Sequence, residues 1–460
     1  MTSARSRLRS CFCGPLLAGA VVSPSVALAE EVKAEFSGFA SFVAAQTITS
    51  DQGGLDDIST DLQLNDFNVL GLRLDVDLMY NLDFTVQIRA SGDSYNPAEG
   101  ASGGKKSAYA PEVDWLYVGY NVTPEIRINV GKTRLPLYIY SDVLDVGYAY
   151  QWITPPFAIY GVPSLRSNEG IEFHYTTDLG SDWYSDFSAW YGQSNEQLSE
   201  LEYADFEMRD AFGAKWAVEN DWLTLRATFY TGISDYSDME VVLNRSNGVD
   251  PSVLQSIAGL NFYAASLGLN PLLDQAALAD ALLWDDVRTD FYGLGTMMDF
   301  GTVFIVAEAT AIRLDKTAAR GNLNSFYVMT GFRVTDDWTI SGTYTLDDNN
   351  ENRDVGKAVG KQLAALKGQS RADDPATVDV NESINGALLN GAVALFEGEV
   401  LDAIKEFHVR QKDTFILTAR YDFHPNAAFK AEYLMQNVQA YGQSSDSRPQ
   451  ALRLGLDLVF

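Results

Sequence analysis

Residues 70–90 read LGLRLDVDLMYNLDFTVQIRA, and apolar and polar side chains alternate through nearly all of this stretch. The alternation breaks only around Tyr80-Asn81, where a tight turn fits. An apolar residue at every second position is the period of a β-strand whose two faces meet different surroundings. The stretch therefore predicts two antiparallel strands joined by a hairpin. One face of this hairpin is apolar, and the other carries full charges.

The same alternation recurs along most of the chain. It predicts sixteen strands, near 33–47, 66–79, 82–93, 111–121, 125–134, 168–178, 182–194, 207–219, 222–234, 285–298, 302–314, 323–335, 338–347, 408–424, 427–438 and 450–460. Seven connections between them are tight turns rich in Asn, Asp, Gly and Pro, and eight are longer. That arrangement is typical of a closed, transmembrane barrel of sixteen antiparallel strands whose two termini lie on the short-turn side.

The first 29 residues have the features of a secretory signal peptide. A basic region around Arg5, Arg7 and Arg9 precedes a mostly apolar stretch, and Ala27-Leu28-Ala29 provides a cleavage site with small residues. A membrane anchor is the alternative, but Gly and Pro residues interrupt the apolar stretch, which is short for a span. We therefore predict a signal peptide at 1–29 and a mature barrel at 30–460.

Cysteine content and charge exclude several classes of function. Both cysteines, Cys11 and Cys13, lie in the predicted signal peptide, so the mature chain has no disulfide and no thiolate site. Losing three arginines and no acid takes the formal charge from −29 to −32, which would repel nucleic acid. Beyond the signal peptide no apolar stretch is long enough for a transmembrane helix. An exported chain of this kind is a soluble protein or a barrel, and the alternation favours a barrel.

Aromatic residues cluster near the predicted strand ends, as they do in the interfacial girdles of membrane barrels. Trp216, Trp222, Trp338 and Tyr421 are the candidates, although ordinary half-buried strand aromatics would explain any one of them. The last strand ends the chain on Phe460. This resembles the terminal strand of bacterial outer-membrane barrels, in which a final aromatic residue serves the assembly machinery.

The connection between the fifth and sixth strands contains GKTRLP at 131–136, YSD at 140–142, WITPP at 152–156 and YG at 160–161. Its many aromatic residues argue against disorder. Its position and sequence resemble the constriction loop of Gram-negative porins, in the superfamily that includes phosphate-selective porins. The resemblance implies that a third extracellular loop, about 135–167, folds inward and narrows a water-filled channel against arginines on the wall. It also implies a homotrimer.

If the apolar face meets lipid, the polar face lines the lumen. Nine bases are predicted on that face, namely Arg73, Arg89, Arg127, Lys215, Arg226, Arg333, Arg420, Lys430 and Arg453. Nine acids share it, namely Asp75, Asp77, Asp83, Glu172, Asp186, Glu308, Asp422, Glu432 and Asp457. The wall is therefore balanced, and because charges at a constriction sort ions, net charge does not give the preferred sign.

Our hypothesis for the constriction places Asp142 and Asp145 of the loop opposite a cluster drawn from the basic side chains. Those side chains are Arg73, Arg89, Arg127 and Arg134. The alternative is that these charges only pair with one another to satisfy a polar wall. Phosphate selectivity is not carried over from the family, because this loop has arginines at its ends and no lysine inside.

The remaining motifs are weaker indications of function. The acidic stretch 347–354 lacks the glycine and terminal glutamate of an EF-hand and fits a solvated loop, so no metal and no cofactor are predicted. Helix-like runs at 251–283 and 384–406 fall within the long extracellular loops, about 235–284 and 348–407. Enzymatic activity is disfavoured because only His174, His408 and His424 are present and no G-x-S-x-G motif occurs.

These observations predict an outer-membrane porin with periplasmic termini that passes small hydrophilic solutes and ions by passive diffusion. Its expected partners are those solutes, outer-membrane lipid, lipopolysaccharide and two further copies of the chain. A substrate-specific channel, or a plugged barrel acting as a surface receptor or adhesin, is the alternative, because two of the loops are large. The sequence does not identify the solute or the preferred sign of charge.

Overall fold

The computed structural model describes residues 32–49, 55, 58–78, 80–92, 109–161, 166–197, 205–236, 286–315, 322–350, 409–440 and 448–460. The predicted signal peptide and most of the two long loops, 235–284 and 348–407, lie outside these residues. No helix among the described residues is both long and apolar enough to cross a membrane.

Sixteen strands are present in the described part of the chain. They are β1 (Lys33–Thr47), β2 (Val69–Asp77), β3 (Leu82–Ser91), β4 (Glu112–Asn121), β5 (Ile126–Arg134), β6 (Ser167–Gly180), β7 (Trp183–Gln197), β8 (Asp205–Glu219), β9 (Leu223–Tyr236), β10 (Val287–Asp299), β11 (Val303–Leu314), β12 (Asn322–Arg333), β13 (Trp338–Asn350), β14 (Val409–His424), β15 (Ala427–Ala440) and β16 (Gln450–Val459).

Each strand pairs antiparallel with its neighbours in sequence, and β1 pairs with β16 to close the barrel. Closure leaves no strand edge without a partner. The predicted number of strands, their antiparallel order and the alternation of short and long connections are confirmed. The bounds differ by up to three residues, for example at β13, which reaches Asn350 rather than 347.

The hairpin predicted from residues 70–90 is present as β2 and β3. β2 and β3 pair from Val69↔Ser91 to Asp77↔Asp83. Tyr80 and Asn81 both adopt positive φ angles, 61° and 64°. Two successive positive φ angles give a turn whose twist matches that of the flanking strands, so the hairpin closes without splaying.

Burial separates the two faces of the sheet. On β10, exposed Tyr292 and Leu294 alternate with fully buried Phe291, and the same alternation runs through β11 and β12. The outer face is therefore apolar around the barrel. The inner face is less uniformly polar than predicted, because the register aligns Tyr230, Phe291, Ile312 and Leu323 on it in one buried row. Alternation shows which residues share a face, but it does not show what packs against them.

Candidate functional site

The connection from β5 to β6 is the part of the chain that brings charged residues from distant strands together. We call residues 135–166 the β5–β6 segment; 162–165 of it lie outside the described residues. It contains two 3-10 turns, Ser141–Val143 and Gly147–Ala149, and one helical turn, Phe157–Tyr160. Leu137 and Trp152 are completely buried, as the aromatic content of the stretch suggested.

Gly131 precedes the segment and has a φ of 135°. This angle is one that residues with a side chain rarely adopt. A Cβ at this position would lie 2.3 Å from the carbonyl oxygen of Leu116 on β4. Only glycine therefore lets the end of β5 pass β4 at this distance and lead into the segment.

Asp145 lies at the centre of a compact charge cluster. Its carboxylate forms ion pairs with Arg134, with Arg166 at 3.5 Å and with Arg89 at 3.8 Å. Arg134 also pairs with Asp114 at 2.8 Å. Asp145 and Arg134 are both buried, so water screens these contacts little.

The three guanidinium groups set the charge state of Asp145. Burial by itself raises the pKa of this carboxyl, because a charged group loses its hydration. Arg134, Arg89 and Arg166 together lower it by more, so the net pKa lies well below the ordinary aspartate value. Asp145 therefore stays ionised under acidic conditions, and the cluster keeps its charge.

The other residues of the hypothesis do not join this cluster. Arg73 pairs with Asp75 at 2.7 Å and stacks on Trp115, whereas Arg127 pairs with Asp83 at 2.6 Å. Asp142 is exposed, and among the described residues none forms an ion pair with it. The structure thus brings together Asp145, Arg89 and Arg134, and it leaves Arg73, Arg127 and Asp142 apart from them.

A second network joins the segment to β14, β15 and β16. The ammonium group of Lys430 donates to the carbonyl oxygens of Gly147 at 2.6 Å and Trp152 at 2.5 Å, and it pairs with Asp457 at 2.8 Å. Glu432 accepts the Ile153 N–H at 2.8 Å. These contacts hold the middle of the segment against strands that are distant from it in sequence.

Two arginines extend this network. Arg453 pairs with Glu432 at 2.6 Å and donates to Thr154 at 2.7 Å. Arg420 donates to the carbonyl oxygen of Tyr150 at 2.7 Å. Lys430, Glu432 and Arg453 are each at most 5% exposed, so the network is built from desolvated charges that are paired.

A third set of contacts joins the segment to Glu308 on β11. Its carboxylate accepts the Ile139 N–H at 2.9 Å and the Tyr160 hydroxyl at 2.8 Å. Burial raises the pKa of the Tyr160 phenol, and the negative charge of Glu308 raises it further. Tyr160 therefore remains a protonated donor across the ordinary pH range, and both ends of the segment have a fixed partner.

The sequence predicts Arg89 and Arg134 as candidates opposite Asp145, and it places Lys430, Glu432 and Arg453 on the inner face without predicting their partners. Arg166 and Asp114 are not among the predicted site residues. Asp114 lies where the pairing of β3 and β4 shifts by one residue, between Gln87 and Ile88. A bulge interrupts the two-residue period, so alternation does not assign this residue to a face.

The predicted girdle residues lie on the outer face near the short turns. Trp338 stacks on Tyr421 with ring centroids 4.6 Å apart. Trp222 stacks on Phe300 at 5.8 Å, and Trp216 is more than half exposed. Phe460 exchanges two backbone hydrogen bonds with Gly38 of β1, at 2.8 and 3.0 Å.

No protein-family model matches the sequence, and no curated protein matches it significantly. Among solved structures, the chain is similar to the outer membrane channel DcaP of Acinetobacter baumannii, with 10% identity over 93% of this chain and 97% of that one and a TM-score of 0.51. It is also similar to an anion-selective porin from Comamonas acidovorans, with 11% identity, 94% and 100% coverage and a TM-score of 0.49. The DcaP likeness supports the sixteen-stranded barrel fold and, at this identity, the fold alone.

Proposed function

We propose that this chain, which has the sixteen-stranded barrel fold of outer-membrane channels, forms a water-filled porin for passive diffusion of small hydrophilic solutes and ions. The observation that carries the proposal is the contrast between the two faces of the closed sheet. The outer face exposes large apolar side chains, whereas the inner face holds paired charges on many strands. Lipid outside and water inside would produce that contrast.

The barrel would lie in the bacterial outer membrane. Its short turns and both termini would face the periplasm, and its long connections would face outward. The stacked pairs Trp338–Tyr421 and Trp222–Phe300 would mark the periplasmic membrane interface. By likeness of fold we expect a homotrimer surrounded by lipid and lipopolysaccharide.

The β5–β6 segment would act as the constriction loop inside the lumen. Its support is the set of hydrogen bonds from the segment to β11 and to β13 through β16. A segment that begins at β5 and forms hydrogen bonds to those strands would narrow a barrel of this width. Asp145 with its arginines would stand at one side of the narrowing, and the Lys430 network at the other.

This arrangement supports weak ion selectivity. Charges on the strands are paired within the wall, as in Arg73–Asp75, Arg127–Asp83 and Lys215–Asp186. A paired wall presents little net field to a passing ion. Exposed Asp142 would then contribute more to the sign of selectivity than buried Asp145.

A second candidate is a narrow or plugged barrel that acts as a substrate-specific channel or a surface receptor. The specific observation in its favour is the number of fixed contacts of the segment. Bonds from Arg420, Lys430, Glu432 and Arg453 leave it little freedom to move aside.

Single-channel conductance of the purified protein in planar bilayers separates the two candidates. We expect stepwise openings, grouped in threes for a trimer, and a reversal potential close to zero in a salt gradient. Heat-modifiable gel mobility would confirm that the inserted protein is a folded barrel. A folded and inserted protein without conductance would overturn the porin and favour the plugged barrel.

A further inference from the structure

A cavity of about 150 Å³ lies between the β5–β6 segment, residues of the β1–β2 connection and the inner faces of β13 to β16. Apolar side chains make up more than half of its described wall, among them Leu144 and Ile153 of the segment and Ile58 of the β1–β2 connection. An apolar cavity of about 150 Å³ holds one benzene ring. The volume and the wall of this cavity therefore suit a molecule with a single ring.

The charged side chains in the described wall of the cavity all have oppositely charged neighbours. The pairs are Arg453 with Glu432 at 2.6 Å, Arg166 with Asp145 at 3.5 Å, and Lys412 with Asp347, its direct cross-strand neighbour between β14 and β13. A charged ligand would have to compete with these pairs and would lose its own hydration. The described wall is electrically balanced, so it favours an uncharged ligand.

Flat side chains line the side of the cavity that the segment forms. Pro155 and Pro156 are buried there, and Phe157 beside them is 40% exposed. Tyr150 adds a second aromatic ring to the wall. Aromatic rings gain free energy from offset-stacked or edge-to-face contact with another ring. The exposed Phe157 ring is therefore a surface on which an aromatic ligand can pack.

The strand side of the cavity has one polar row and one apolar row. Thr345, Thr414 and Gln436 are direct neighbours across β13, β14 and β15, and the Gln436 side-chain amide donates to the Thr414 hydroxyl at 3.1 Å. Ile416 and Leu434, which pair across β14 and β15 and are buried, form the adjacent apolar row. The two rows are about 7 Å apart, because successive inner-face residues of a strand are two positions apart. A ring on the apolar row can therefore place one polar group against the polar row.

The polar row offers hydrogen bonds without a charge. A threonine hydroxyl both donates and accepts, and a glutamine amide has donor hydrogens and a carbonyl oxygen. A carboxamide or a hydroxyl group on a ligand matches these groups. A purely apolar molecule would take water away from the row without replacing its hydrogen bonds, which costs free energy.

We propose that this cavity binds small uncharged molecules that carry one aromatic ring and one carboxamide or hydroxyl group. The ring lies between Phe157 and the row of Ile416 and Leu434, and the polar group faces Thr414. This inference rests on the proposed porin function, since it names a class of solute that pauses on its way through the channel. Binding at such a station is weak, because a solute held tightly would not leave.

Benzamide, benzoate and benzamidinium test the proposal, because they share one shape and are neutral, anionic and cationic respectively. With the complete protein in planar bilayers at moderate salt, we expect benzamide to interrupt the current in a concentration-dependent manner. The two ions, and acetamide, which lacks the ring, should each need on the order of tenfold higher concentration for the same effect, which corresponds to the loss of one good contact. Equal or stronger interruption by either ion or by acetamide would overturn the proposal.

Two variants assign the effect to the cavity. Phe157→Leu removes the exposed ring, and Thr414→Val removes the central hydroxyl of the polar row at almost constant volume. Each should raise the half-blocking concentration of benzamide on the order of tenfold in a barrel whose heat-modifiable gel mobility shows that it is folded. Thr310→Val is the matched control, because Thr310 is a buried threonine on β11 that is not among the described residues of the cavity wall. Unchanged blocking in both cavity variants would contradict the proposed site.

Calorimetry of the complete, detergent-solubilised protein with benzamide keeps the two proposals separate. A heat of binding that Thr414→Val weakens and Thr310→Val preserves would support the site, even in a barrel without conductance. Conductance without benzamide binding would overturn the site and leave the porin function standing.

Discussion

At the residue scale, Asp142 and Asp145 look alike in sequence but have different environments. Asp145 is buried among three arginines, whereas Asp142 is exposed. Because the arginines hold the pKa of Asp145 below its ordinary value, this carboxylate stabilises the folded protein at neutral and mildly acidic pH. That contribution is lost only when the pH falls through the lowered pKa.

We predict that Asp145→Asn destabilises the barrel by about 3–5 kcal/mol, because it removes the buried carboxylate that Arg89, Arg134 and Arg166 share. Asp142→Asn should change stability by less than about 0.5 kcal/mol, as exposed substitutions do. Urea unfolding of both variants measures this difference. Neutralising both should move the reversal potential toward anions, and an unchanged potential would contradict a role for these acids in the constriction.

At the scale of an element, the β5–β6 segment depends on side chains of strands far from its own ends. Lys430 is central, because its ammonium group binds two carbonyl oxygens of the segment and pairs with Asp457. It is completely buried. Without it, the segment loses two hydrogen bonds, and Asp457 keeps a buried charge that accepts a hydrogen bond from the Ser41 hydroxyl.

Lys430→Met is expected to destabilise the barrel by about 3–5 kcal/mol, because one partner of a buried pair is removed. A loosened segment should also make the single-channel current noisier. Lys215→Met is the matched control, because Lys215 lies on β8 and, among the described residues, its ammonium group pairs with partly exposed Asp186 at 3.1 Å rather than with the segment. An equal loss of stability and an equal increase in current noise in the two variants would contradict a role for Lys430 in holding the segment.

At the scale of the whole molecule, closure of the barrel depends on a seam between the first and last strands. β1 and β16 pair from Phe39↔Val459 to Thr47↔Ala451, and Phe460 extends the pairing through Gly38. The Phe460 ring covers Gly38 so closely that a Cβ there would lie 2.5 Å from it. The last residue therefore packs at the point where the ring of strands closes.

Phe460→Ala is expected to reduce the fraction of chain assembled as a heat-modifiable barrel in the outer membrane. Phe332→Ala is its control, since Phe332 is a similarly exposed aromatic residue on β12, which pairs with β11 and β13 and lies away from the seam. The intensities of the folded and unfolded bands on unheated gels give the assembled fraction of each variant. Equal losses would mean that Phe460 acts only as one more apolar residue of the outer face.

The barrel could be predicted from the sequence alone, because the information needed is local. A two-residue period reports that a strand has two different faces, and turn residues report where it ends. Both signals are present within each hairpin, as in 70–90, so the number and order of the strands followed without knowledge of distant contacts. Closure also followed, because a membrane leaves no other arrangement for unpaired strand edges.

The pairing of the inner charges could not be predicted and became clear from the three-dimensional fold. Arg127 and Lys430 both occupy inner-face positions, yet one pairs with Asp83 on β3 and the other binds the β5–β6 segment. Their partners depend on the path of an irregular connection, the β5–β6 segment. The two-residue period of the strands does not predict that path. The sequence did not predict Asp114, because a bulge interrupts the period there, or the buried apolar row on β9 to β12, because alternation does not show what packs on a face. Alternation assigns a residue to a face, whereas packing across the barrel determines what that residue touches.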